Sequence, residues 1–269
     1  MTDPGEESTT VFIGGVGRSF MGDLDLGRIA IERLAAEDLG PHAVLEEVQY
    51  NAVLVAQHLA ELRPYSVVLV GAVERQREPG TVERRRIRTL GAPLETVQDA
   101  VASAVTGDVT LDLLLQVGEG LGVLPAHTLA IEVEPTEMSL GDTLSTQAAG
   151  ALETVLELVR AEVRRAPLLR LAEKVRPLVA VDRTPSAAVE AVRHLLSEIE
   201  VVDAEGSWPA TLAQPERRRR LLDAAQTWGE NEGDEASAWQ ALAGELERVS
   251  ALEDGGGAAG GTHPQTLLT

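Results

Sequence analysis

Three short runs built almost wholly from apolar residues, at 11–16, 67–70 and 128–133, constrain this chain more than any other feature. They are too short for buried helices and do not alternate with polar residues. Each is therefore read as a strand covered on both faces, the pattern of parallel sheets. The segments between them carry helical spacing. Leu26, Ile29, Ala30, Arg33 and Leu34 define one helix, stopped by Gly40-Pro41. Residues 53–62 define a second, ended by Pro64, and residues 111–117 and 146–165 two more, the last amphipathic. A further strand is expected at 44–50, and the run at 67–70 is the expected centre of the sheet. After the turn signal Glu78-Pro79-Gly80, residues 81–87 read as a weaker extended stretch whose arginines suit a solvent-facing edge. Strands alternating with helices imply a layered α/β fold, with a mixed, mainly parallel sheet and helices on both faces.

The texture changes at Pro167. A short apolar run at 178–181 is the last candidate strand, and two or three helices rich in Ala, Leu and Glu follow. One is expected at 186–199 behind Thr184-Pro185, and one at 215–228, opened by Pro215 and closed by Gly229. The expected organisation is a flexible N-terminus at 1–10, an α/β domain at 11–166, a helical extension at 167–253 and a glycine-rich disordered tail at 254–269.

Composition excludes several functions. Among 269 residues, 43 are acidic and 23 basic, a formal charge of -20, which argues against binding nucleic acid through its phosphates. Aromatics are 3% of the chain, so no stacking platform for bases or sugars is expected. Cysteine is absent, which removes disulfides, thiolate metal sites and thiol nucleophiles. Residues 1–10 have neither the basic nor the apolar region of a signal peptide, and no apolar run reaches the roughly 18 residues that span a bilayer. A cytoplasmic protein with no membrane partner is expected.

Local motifs point weakly to chemistry. Gly15 and Gly17 with Gly22 after a strand suggest a phosphate loop, but the spacing is not G-x-G-x-x-G, no Gly-Lys-Ser/Thr follows, and Asp23 and Asp25 would repel an anion there. Those two aspartates follow the first strand, where open α/β sheets bind ligands; they also suit a helix start, capping free amides. His42, His58, His127, His194 and His263 show no His-x-x-x-His spacing and read as ordinary core or surface residues. No serine lies in a Gly-x-Ser-x-Gly elbow. The runs Arg84–Arg86, with Arg88, and Arg217–Arg220 suit either an acidic partner or the chain's own carboxylates.

In order along the chain, four segments resemble the hydrogenase maturation proteases, which trim the large subunit of nickel-iron hydrogenases. Val11-Phe12-Ile13-Gly14-Gly15-Val16-Gly17 resembles the family's opening strand and turn. Met21-Gly22-Asp23-Leu24-Asp25-Leu26-Gly27 resembles its Gly-Asp-Asp/Glu-Gly-x-Gly segment. Residues 67–73 with Glu78-Pro79-Gly80-Thr81-Val82 resemble a strand ending in Asp-Ala and its Glu-Pro-Gly-Thr turn. Residues 131–135 with Gly141-Asp142-Thr143-Leu144-Ser145 resemble the last strand and the Gly-x-x-Leu-Ser entry to the C-terminal helix.

The resemblance implies an α/β fold and an endopeptidase whose acid, Asp and His contact nickel already placed in the substrate. Here the acid falls at Leu24, the Asp at Gly71, and the His loop at Thr106-Gly107-Asp108; the turn asparagine is Arg18. The expectation is a protein of hydrogenase maturation that binds the large-subunit precursor with weak or no peptidase activity. A metal-assisted endopeptidase using Asp23, Asp25 and Asp108 as an all-oxygen site is the first alternative, and an α/β scaffold or regulatory protein the second.

Overall fold

The structure is a computed structural model that describes residues 8–49, 51–88, 109–179, 186–201, 209–230 and 236–255. The chain divides after Ala166 into two compact units.

In the first unit the expected strands form: β1 (Val11–Val16), β3 (Ser66–Ala72) and β5 (His127–Val133) from the three apolar runs, with β2 (Ala43–Val48) and β4 (Val82–Arg86). They make one sheet in the order β2-β1-β3-β5-β4, with β3 at its centre. The pairs β1 with β2, β1 with β3 and β3 with β5 are parallel; β4 runs antiparallel to β5 at the edge, as its arginines suggested. The strand order reverses direction between β1 and β3. In open sheets the crevice at the carboxyl ends of two such strands is where ligands bind.

Helices α1 (Leu26–Leu34), α2 (Ala52–Leu62), α3 (Leu111–Gly120) and α4 (Thr146–Val179) complete the unit, α4 continuing beyond Ala166. Alternate strand residues feed two separate apolar layers. Phe12, Val67, Leu69 and Ala130 share one with Val55 and Leu59 of α2 and Leu114 and Val117 of α3. Ile13, Val68, Val70 and Ile131 share the other with Leu26, Ala30 and Leu34 of α1 and Val155 and Val159 of α4. This two-sided burial explains why β1 and β3 read as unbroken apolar runs and β5 as nearly so.

The glycines that resemble a phosphate loop serve packing instead. A Cβ on Gly15 would stand 2.2 Å from the Gly27 carbonyl oxygen, and one on Gly27 would stand 2.2 Å from that of Val16. Backbone of α1 thus lies directly on backbone of β1, an approach only glycine permits.

The second unit is helical: the end of α4, α5 (Ala187–Val201), α6 (Ala210–Ala213), α7 (Pro215–Gly229) and α8 (Ala236–Gly255). Its core gathers Leu171 and Val175 of α4, Val192 and Leu195 of α5, Leu221 of α7, and Trp239, Leu242 and Leu246 of α8. The Arg170 guanidinium donates two 3.0 Å hydrogen bonds to Glu245, and both side chains are buried.

Three expectations need correction. Helix α4 does not stop before Pro167 but continues to Val179, because Leu168, Leu171, Ala172, Val175 and Leu178 keep helical spacing and are all buried. For the same reason Leu178 and Val179 are helical, not strand; the remainder of the 178–181 run lies outside the described residues. Asp254 and Gly255 close α8, and 256–269 lie outside the described residues, as do 1–7. No helix among the described residues is long and apolar enough to cross a membrane.

The Gly15–Gly27 contact is testable. Gly27→Ala forces backbone apart where overpacking costs about 3 kcal/mol, so urea denaturation is expected to show a clear loss of stability. Gly150→Ala, where a Cβ meets nothing within 4 Å, is expected to leave stability unchanged or raised by the roughly 1 kcal/mol helix preference of alanine.

Candidate functional site

Behind β1 the chain crosses a loop and a short 3-10 turn, Gly22–Asp25, before entering α1. Asp23, in that turn, is completely buried. Its Oδ2 accepts hydrogen bonds from the amides of Thr136 at 2.8 Å and Glu137 at 2.9 Å and from the Ser145 hydroxyl at 2.8 Å. Its Oδ1 accepts from the Ser145 amide at 2.7 Å. Burial alone would raise the Asp23 pKa, but these donors outweigh it and hold the carboxyl below its ordinary range.

Backbone bonds reinforce the junction. The Asp23 amide donates to the Glu137 carbonyl, Gly22 to Gly141, and Gly141 to Phe20. Gly22, at φ +55, lies where a Cβ would be 2.7 Å from the Glu137 carbonyl oxygen, so glycine is required there. The loops leaving β1 and β5 are thereby locked together. Ser145 also caps α4, its hydroxyl accepting from the Ala148 amide at 3.2 Å. Two of the four family-like segments, 21–27 and 141–145, therefore meet at one carboxylate. Phe20 pays for the crossing with φ +62, a left-handed conformation that costs a bulky residue about 1–2 kcal/mol.

Asp25 has a different set of contacts. Its carboxylate receives Nε and Nη2 of Arg28 at 2.8 and 2.7 Å, and Arg28 also reaches Glu32 at 3.0 Å. Asp23 and Asp25 share one turn, but the oxygens of each are already engaged. Asp108, the third residue of the candidate metal set, lies outside the described residues, as do Thr106 and Gly107. Among the described residues no three or more His, Asp or Glu side chains form a group able to hold a metal.

The positions that correspond to the family's other contacts carry no donor side chain. Leu24 is half-buried beside the exit of β1, its carbonyl accepting from the Arg18 amide. A Cβ on Gly71, near the end of β3, would face the Val16 carbonyl and Leu111. These side chains do not fit a nickel-contacting set, which needs imidazole or carboxylate.

The charged chemistry at this end of the sheet lies one strand over. Glu132, paired in register with Gly71, has its side chain 1% exposed. Arg75 donates Nε and Nη2 to it at 3.2 and 3.0 Å, Arg77 donates Nη2 at 3.0 Å, and Arg85 donates Nε and Nη2 at 3.1 and 2.6 Å. Arg75 also bridges to Asp112 in the first turn of α3, and Arg77 to Glu83 and Glu134. Glu134 in turn accepts from the backbone amides of Arg75 and Gln76. Burial would raise the Glu132 pKa, but the arginines override it and bring it down to about 2. Three guanidiniums face four carboxylates, so no excess positive charge remains for an anion. Glu132 is a fixed, fully bonded charge and a poor general base.

Sequence reasoning missed this cluster. Its one visible signal is the single acidic residue inside the apolar run 127–133, which burial on both faces obliges to find cations. The expected solvent-facing arginines of β4 are correspondingly engaged, Arg85 with Glu132 and Arg84 with the buried Glu162. In the other run, Arg218 is buried and reaches the Leu212 carbonyl, while Arg217, Arg219 and Arg220 are exposed. The described histidines lie elsewhere: His58 pairs with Glu46, His194 with Glu198, His42 with Thr9, and His127 packs on Tyr65. His263 is outside the described residues.

No protein-family model matches this sequence, and no curated protein matches it. Several solved structures are similar. A hydrogenase 2 maturation peptidase from a Thaumarchaeota archaeon is 21% identical, with 56% of this chain and 95% of that one covered and a TM-score of 0.40. The hydrogenase maturating endopeptidase HybD of E. coli is 17% identical, covering 58% and 93%, at 0.43. The nickel-iron hydrogenase maturation protease HycI of Thermococcus kodakarensis is 21% identical, covering 58% and 92%, at 0.39. The chain thus resembles hydrogenase maturation proteases in structure over somewhat more than half its length.

The Glu132 cluster makes a pH prediction. Its folded pKa of about 2 lies below the ordinary 4.5, so the stabilisation is complete above pH 4.5 and is lost as pH falls toward 2. The size is about 3 kcal/mol by linkage. In urea titrations across this window, Glu132→Gln is expected to be less stable at pH 7 and to show a flatter fall in acid. Equal slopes for the two proteins would remove the assignment.

Proposed function

We propose that this protein acts in nickel-iron hydrogenase maturation by binding the large-subunit precursor without cutting it. The observation that carries the reading is the pairing of a family-like frame with an emptied reactive centre. Asp23 joins the segments 21–27 and 141–145 as one braced unit. Leu24 and Gly71, where the family's acid and Asp would stand, supply no ligand atoms. A neighbouring centre of Glu132 and three arginines is saturated with its own hydrogen bonds. A peptidase of this kind needs open coordination positions beside the scissile bond, and a closed ion-pair network offers none. Binding requires only the surface, which the braced loops retain. The precursor brings its own nickel in this reading, so the metal belongs to the substrate.

The test mixes the purified chain with nickel-loaded large-subunit precursor still bearing its C-terminal extension. Association is followed by interferometry and cleavage by intact mass. Saturable association with no loss of the extension, over a time in which an active maturation protease finishes processing, is expected. No association at micromolar concentrations would overturn the proposal. Metal-dependent cleavage abolished by Asp108→Ala would overturn it in favour of the all-carboxylate peptidase.

A further inference from the structure

The loops that Asp23 locks together expose apolar side chains. Phe20 is 66% exposed, Leu140 85% and Met138 36%. They belong to one hydrogen-bonded assembly: Gly141 donates to the Phe20 carbonyl, Gly22 donates to Gly141, and Met21 and Gly141 form an isolated parallel bridge. The assembly stands at the carboxyl ends of β1 and β5, the strands that flank β3 and the switch point of the sheet. Phe20 is also held at φ +62. A strained backbone that presents a large aromatic ring to water stabilises nothing in the isolated chain, and a buried carboxylate with four donors keeps it in place. Rigid bracing beneath an exposed apolar tip is the arrangement that lowers the ordering cost of binding.

We propose that Phe20, Met138 and Leu140 form a docking surface for a short segment of a partner protein bearing one or two apolar side chains flanked by lysine or arginine. Charge selects the flanks. Glu137 and Asp142 are exposed beside the apolar residues, and Arg18, the nearest cation along the loop, is half-buried and already engaged. Size selects a short segment. At about 150–250 Å² for a large side chain, the three exposures amount to roughly 400 Å², half of the roughly 800 Å² per partner that a stable dimer buries. A second copy also brings the same charge of -20 against the same acidic rim. An anionic membrane surface is repelled in the same way. The inference does not depend on the partner being a hydrogenase subunit.

The test uses fluorescence anisotropy with the full chain and a labelled probe peptide, Lys-Lys-Leu-Ser-Phe-Ser-Leu-Lys-Lys. Two comparators carry glutamate in place of every lysine, or serine in place of leucine and phenylalanine. Saturable binding of the first peptide, at least tenfold tighter than either comparator, is expected. Phe20→Gly and Leu140→Ser are each expected to weaken it at least tenfold. Phe20→Gly is also expected to raise the thermal midpoint by relieving the positive φ, an outcome that a merely structural phenylalanine would reverse. Absence of binding, equal binding of the comparators, or binding unchanged in both variants would overturn the proposal. Concentration-dependent self-association lost in Leu140→Ser would overturn it in favour of a second copy.

Discussion

The arrangement at the working end of the sheet depends on the negative charge of Asp23. Its carboxylate is out of reach of water and is solvated instead by three amides and a hydroxyl from residues 136–145. A buried carboxylate is tolerable only with such compensation, and the compensating groups come from the far side of β3. One charge therefore fixes three things: the path of the chain out of β1, the return of the chain out of β5, and the N-terminal cap of α4 through Ser145. The positive φ of Phe20 and of Gly22 follows from the same crossing, since both residues are held by carbonyls and amides of the opposite loop. An amide in place of the carboxylate would present hydrogens where donors already point.

Glu132 poses the same problem with a different solution. A carboxylate in the middle of a two-sided sheet can be balanced by a metal or by guanidiniums, and here Arg75, Arg77 and Arg85 converge from the loop behind β3 and from the edge strand. The two solutions differ in what they leave open. A metal keeps a coordination position that a substrate atom can enter, whereas planar guanidiniums consume the carboxylate oxygens pairwise. In a chain with 23 basic residues against 43 acidic ones, three arginines at one buried position are a large commitment to order.

Fold and site were legible in the sequence to different depths. The central strands β1, β3 and β5 were legible because burial on both faces removes most polar residues, so they stand out as apolar runs broken in β5 by Glu132. Helix α4 was misread at Pro167 because proline's local cost was weighed over the spacing of Leu168, Leu171 and Val175, which tertiary burial then enforced. Asp23 and Asp25 were visible as an acidic pair at the right strand end, yet their different environments were not. Asp23 answers to amides more than a hundred residues later in the chain, and Asp25 to Arg28 one turn ahead. Glu132 was visible as a charge inside an apolar run, but its partners come from two separate segments, and no local spacing connects them.

Saturation of the polar groups changes what this surface can recognise. Asp23 has accepted its donors, Asp25 is closed by Arg28, and the carboxylates around Glu132 are matched to arginines, so little hydrogen-bonding capacity is left pointing outward from these residues. Exposed on the same loops are the apolar Phe20, Met138 and Leu140, with Glu137 and Asp142 beside them. Specificity at such a tip comes from shape and from the acidic rim of Glu137 and Asp142, while affinity comes from removing apolar area from water. Asp23 thus holds the two loops from beneath, and the three apolar side chains stand exposed on a frame whose buried carboxylate already has all its donors.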